Sequence, residues 1–132
     1  RRKVLLMAGG IGITPMRALL EELPQGPGDV TLVYRAHSTE DLIFSGELTA
    51  LAQARGARIF TVLGPRADDR ASLLPQSAAH LTDVDGLRHL VPDLADHDVY
   101  ICGEPAWMKL VRTAALAGGV PAKNVHVERF TY

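Results

Sequence analysis

Val4-Leu5-Leu6-Met7-Ala8-Gly9-Gly10-Ile11-Gly12-Ile13-Thr14-Pro15 runs into Met16-Arg17-Ala18-Leu19-Leu20-Glu21-Glu22-Leu23. The order is an apolar strand over Val4–Met7, a glycine-rich turn, and a helix over Pro15–Leu23. Such a turn builds an anion site. Gly9, Gly10 and Gly12 let backbone approach a phosphate, and the unpaired N–H groups of a helix's first turn point at it. Thr14 is expected to cap the helix and offer its hydroxyl. Pro15 fits the first turn, where its missing N–H costs nothing. The stretch predicts a cradle for a nucleotide diphosphate.

The rest of the chain repeats the alternation. Val30–Tyr34 and Arg58–Leu63 read as strands, as do Asp98–Cys102 and Asn124–Glu128. Helical patterns cover Glu40–Ala54, capped by Ser38 or Thr39 and ended by Gly56, then Gly86–Val91 and Pro105–Ala117. Residues 64–83 are polar and irregular, with a short helical turn near 75–80. Strands apolar on both faces and separated by helices form a parallel sheet covered on each side. The expected fold is α/β: a doubly wound, five-stranded parallel sheet in three αβα layers, a Rossmann-like nucleotide-binding domain over residues 1–132. Ligands in such folds lie at the carboxyl ends of the strands.

The bulk numbers restrict the partners. The chain has 132 residues, 47% hydrophobic and 22% charged, with 14 Lys and Arg against 15 Asp and Glu, a net charge of −1. That is one soluble domain with no broad basic field for nucleic acid or anionic lipid. The single cysteine, Cys102, fits a reducing compartment and excludes an internal disulfide. The expected location is the cytoplasm, or the cytoplasmic face of a membrane-anchored parent. Arg1-Arg2-Lys3 leads straight into the first strand with no initiator Met, so the chain reads as a domain excised from a longer protein. The five histidines, at 37, 80, 89, 97 and 126, show no metal-ligand spacing. No Lys-Ser/Thr follows the glycines, and Ser45 stands in no Gly-x-Ser-x-Gly elbow.

Three further strand ends carry chemistry. The second and third strands lead into Arg35-Ala36-His37 and Gly64-Pro65-Arg66 where a dinucleotide site selective for NAD would place a carboxylate. Two guanidiniums there suit a 2′-phosphate, which favours NADP(H) over NAD(H), with His37 lining the adenosine site. The fourth strand ends in Cys102-Gly103-Glu104-Pro105-Ala106-Trp107-Met108.

With this last motif the chain resembles the pyridine-nucleotide domain of the ferredoxin–NADP reductase superfamily, in particular bacterial reductases related to ferric and dioxygenase reductases. The resemblance rests on Gly-Gly-x-Gly-x-Thr-Pro, Cys-Gly-x-Pro-x-x-Met and Glu128-x-Phe130, with Leu42–Leu48 between them. It implies that Gly9, Gly10, Gly12, Thr14 and Pro15 hold the pyrophosphate, and that Arg35 and Arg66 lie near the 2′-phosphate. Cys102, Gly103 and Glu104 would border the nicotinamide, with Cys102 near the hydride-donating carbon and Met108 supporting the loop. Glu128 would lie near Cys102 and the flavin, and Phe130 or Tyr132 would pack on the flavin ring. The family often has Pro where this chain has Glu104 and Met where it has Trp107.

The implied activity is hydride transfer from NAD(P)H to FAD or FMN held by a separate domain of the same parent, a β-barrel preceding this one. Electrons would pass onward to a ferredoxin-like iron–sulfur centre, haem or ferric iron. The isolated domain is then expected to be nearly inactive. A stand-alone dehydrogenase would need a general acid such as a Tyr–Lys pair in the crevice, and no convincing one is seen. A non-catalytic nucleotide-binding module is the other alternative.

Overall fold

A computed structural model describes residues 2–128. Five strands alternate with four α-helices: β1 Lys3–Gly9, α1 Ile13–Glu22, β2 Val30–Ala36, α2 Ser45–Arg55, β3 Arg58–Leu63, α3 Asp83–Leu90, β4 His97–Cys102, α4 Pro105–Ala117 and β5 Val125–Glu128. All strand pairs are parallel, and the spatial order is β3-β2-β1-β4-β5. The chain starts mid-sheet, winds outward to β3, then returns beside β1 as β4. That return places the topological switch point between β1 and β4, where open α/β sheets bind ligands.

The predicted layers are present, and alternation along each strand builds them. Leu5, Met7, Val33, Val99 and Ile101 face one side, with Leu87 of α3 and Met108, Val111 and Ala115 of α4. Val4, Leu6, Ala8, Leu32 and Tyr34 face the other, with Ile13, Met16 and Leu20 of α1 and Leu48 of α2. The helical spacings of three and four residues put those side chains on single stripes. α4 starts on Pro105 at its first position. The Thr82 hydroxyl caps α3 by accepting from the Asp85 amide at 3.2 Å. Gly56, in the left-handed region at φ 65°, closes α2.

Ion pairs tie the strand starts at the opposite edge. Arg2 Nε and Asn124 Nδ2 both donate to Asp98 Oδ1, at 3.0 and 2.6 Å. Lys3 Nζ meets Asp93 Oδ2 at 2.6 Å. The buried His97 ring lies with Nδ1 3.0 Å from the Asp93 carbonyl oxygen.

Three expected helix starts move; α3, expected from Gly86, begins at Asp83 behind its Thr82 cap. α1 begins at Ile13, its cap is Gly12, and no side chain caps it, so Thr14 lies within the first turn. The helix expected from Glu40 does not form there. Thr39–Asp41 is a single 3₁₀ turn, and α2 starts at Ser45 behind Phe44, whose φ of 62° is left-handed. The Tyr34 hydroxyl accepts the Ile43 amide at 3.1 Å and Leu42 packs on the core, which holds this segment extended.

Candidate functional site

The carboxyl ends of β1 and β4 interlock at the switch point. Gly9 ends β1, Gly10–Gly12 form a 3₁₀ turn, and α1 follows directly. A methyl group on Gly12 would lie 2.0 Å from the Cys102 carbonyl oxygen and 2.9 Å from the Gly103 amide nitrogen. Gly12 is therefore a packing glycine, buried against the end of β4, and not one that leaves room directly for a pyrophosphate. Gly10 is its counterpart: exposed, at φ 54°, with open space where a side chain would go. The Ile13 amide is spent inside the turn on the carbonyls of Gly10 and Ile11, so the first-turn amides are not all unpaired. Thr14 is exposed with its hydroxyl free of a capping bond. Pro15 is half-buried one position on.

Trp107 completes the floor, packed against the core on one side and the two loops on the other. Its ring lies 2.9 Å from the position a methyl on Gly9 would take and 2.8 Å from that on Gly103. One indole rests on a glycine from each loop. Its Nε1–H is buried without a hydrogen-bond partner among the described residues. The signal available from sequence was positional: a large aromatic inside Cys-Gly-x-Pro-x-x-Met, four residues after Gly103.

Cys102 is 1% exposed and shares the core cluster of α1. It sits between Ala8 and Glu128 in the sheet register. Burial, and then the Glu128 carboxylate, push its thiol above the usual range. It is a protonated thiol beneath the loop surface and not a thiolate nucleophile. Glu128 is exposed at the end of β5, and Met108 is buried in the core under the loop. Phe130 and Tyr132 lie outside the described residues.

The pair of free guanidiniums expected at the ends of β2 and β3 is corrected. Arg35 is buried, 8% exposed. Its Nε donates to the Leu73 carbonyl at 3.1 Å, and its Nη1 to those of Ala36 at 2.5 Å and Val62 at 3.4 Å. Burial, then the neighbouring Arg66 charge, lowers its pKa. Arg35 pins the loop that follows β3, with Nε and Nη1 committed to backbone carbonyls. Arg66, on that loop, is exposed, and its Nη2 donates to Glu104 Oε2 at 2.7 Å. His37 is exposed beside them.

The fold and this edge define an α/β dinucleotide-binding domain. The chain belongs to the oxidoreductase NAD-binding domain family, whose model matches residues 6–113. It is 34% identical over 129 residues to the ferredoxin reductase component of 3-ketosteroid-9-alpha-monooxygenase from Mycobacterium tuberculosis, covering 96% of this chain and 33% of that protein. It is 31% identical over 136 residues to reductase component 2 of terephthalate 1,2-dioxygenase from a Comamonas species, covering 98% of this chain and 38% of that protein. Among solved structures, the FAD/NAD-binding domain of nitric oxide dioxygenase from Vibrio cholerae superposes with a TM-score of 0.77 at 30% identity, over 98% of this chain and 52% of that one. The chain thus spans about a third of the length of the curated reductases it matches.

Proposed function

We propose that this chain is the NAD(P)H-binding part of a flavin-dependent reductase that feeds electrons to an iron–sulfur, haem or ferric acceptor. The observation that carries the reading is the interlock of Gly12 with Cys102–Gly103. It makes the loop after β1 and the loop after β4 one continuous floor, on which a dinucleotide lies with its pyrophosphate at one end and its nicotinamide at the other. The residues fit the ligand: Gly10 leaves open space for phosphate oxygens, and the Thr14 hydroxyl faces solvent beside it. Bound NAD(P)H supplies the hydride. The protein's task would be to hold the hydride-donating carbon of the nicotinamide against a flavin carried by another domain, which converts a chance encounter into an oriented one. Gly103 and Trp107 shape the floor, while Glu128 stands at the end from which hydride leaves and Cys102 supports that end from beneath. The uncharged thiol adds no anion beside the ring.

The names of the relatives support this reading, since the two curated ones are reductase components of oxygenases. Calorimetric titration with NADH and NADPH, followed by hydride transfer to added FAD, tests it. Binding with little or no turnover is the expected result. Failure to bind either dinucleotide overturns the reading, and turnover of a carbonyl substrate without flavin favours a stand-alone dehydrogenase.

A further inference from the structure

Arg66 and Glu104 stand on loops that the sheet order keeps apart. Arg66 follows β3, Glu104 follows β4, and β2 and β1 lie between them. Neighbouring strands are about 4.8 Å apart, so β3 and β4 are separated by roughly 14 Å. The two side chains nonetheless meet at 2.7 Å. They do so only by reaching toward each other over the carboxyl ends of β2 and β1, the path a dinucleotide on the Gly9–Gly12 turn would take. Both side chains are largely open to water, 67% and 59% exposed, so the pair is held by its own charges and not by packing. Beneath it, Arg35 is committed to three backbone carbonyls. Of the two guanidiniums at these strand ends, Arg66 alone faces solvent, and a carboxylate already answers it.

We propose that Glu104 is a coenzyme-specificity residue: it occupies Arg66, the guanidinium a 2′-phosphate would need, and so favours the dinucleotide lacking that phosphate. This rests on the dinucleotide reading above and reverses the preference for NADP(H) that two free arginines suggested. A 2′-phosphate carries nearly two negative charges at neutral pH. To pair with Arg66 it must displace the Glu104 carboxylate or sit beside it, and NADH meets neither demand. The carboxylate is a repulsive element aimed at one of two near-identical ligands. Exposed charges are screened, so the discrimination weakens with salt.

Glu104→Gln, Arg66→Gln and the double variant test this in the full chain, with NADH and NADPH titrated calorimetrically at low salt. Position 104 is exposed and its side chain caps nothing, so the Gln variant keeps the fold. In E104Q the ratio of the NADPH to the NADH dissociation constant should fall about 3- to 10-fold. Adding R66Q should remove that gain. An unchanged ratio in E104Q, or a gain that persists without Arg66, overturns the proposal while leaving the dinucleotide reading intact. Absence of binding by the wild type and all variants, with melting curves unchanged, overturns both. Adenosine 2′,5′-bisphosphate against 5′-AMP isolates the 2′-phosphate: E104Q should tighten the first and not the second.

Discussion

Gly10 and Gly12, two residues apart, do different work, and substitution separates them. Gly12→Ala drives a methyl into the Cys102 carbonyl at 2.0 Å, with backbone on both sides of the clash. Its expected cost is about 1–3 kcal/mol of stability, the range for overpacking a rigid site, read as a lower denaturation midpoint. Gly10→Ala meets open space and bears only the left-handed φ of 54°, about 1–2 kcal/mol. Its larger effect should be on dinucleotide affinity, measured by calorimetry on a chain that still melts cooperatively. If Gly10→Ala binds as well as wild type, the phosphate does not lie over that residue. Being 1% exposed with a raised thiol pKa, Cys102 should react with a disulfide reagent at pH 8 at least about tenfold slower than in urea-unfolded chain. Equal rates would mean that the end of β4 opens freely.

Among the elements, the segment between β3 and α3 gains most from the three-dimensional view. Arg35 reaches from the end of β2 to the Leu73 carbonyl, and Arg66 and Pro75 pair as an isolated antiparallel bridge. The polar stretch 64–75 is thereby a pinned arm and not a loose loop. Arg35→Met keeps the apolar stem but leaves buried carbonyls unanswered, with an expected loss of about 1–3 kcal/mol. Limited proteolysis should then cut within 64–75 first; cleavage elsewhere would show that the arm is held by other contacts. The sequence revealed strands and helices where a single stripe decides them: β3 and α4 have the predicted bounds, because apolar periodicity and Pro105 act locally. It misplaced the start of α2, because Ser38 and Thr39 look like caps while the deciding contact is the hydroxyl of Tyr34 in β2, nine residues before the Ile43 amide it accepts. Arg35 failed for the same reason. Its residue type and strand-end position suit a phosphate, but the carbonyl of Leu73 that captures it lies 38 residues ahead.

At the scale of the whole molecule the sheet divides structural and functional duties between its two edges. The amino edge is tied by Arg2, Lys3, Asp93, Asp98 and Asn124, and it carries the buried His97. Burial depresses the His97 pKa below its usual 6.5, outweighing the carbonyl of Asp93 and the charges of Asp93 and Asp96. A histidine whose folded pKa lies below the unfolded one takes up its proton first in the unfolded chain. Its neutral form therefore supports the fold fully above about pH 6.5, and stability falls as the pH drops below that value. Denaturation midpoints at pH 7.5 and 5.5 should differ accordingly, and His97→Gln should flatten the difference. A slope unchanged in the variant would assign it to other groups. The overall fold was legible because the central strands β1 and β2 are buried on both faces and strands alternate with helical patterns throughout; the pairing of Arg66 with Glu104 was not, because it depends on which loops the strand order brings into reach.

The indole of Trp107 rests on Gly9 and Gly103, one glycine from each side of the interlock, and it is the chain's one tryptophan. Indole emission overlaps the near-ultraviolet absorption of reduced nicotinamide and not that of the oxidised ring. The protein thus carries its own optical gauge, placed at the floor of the crevice. NADH should quench Trp107 emission by energy transfer and NAD⁺ should not, so the same residue reports both occupancy and redox state without any added label.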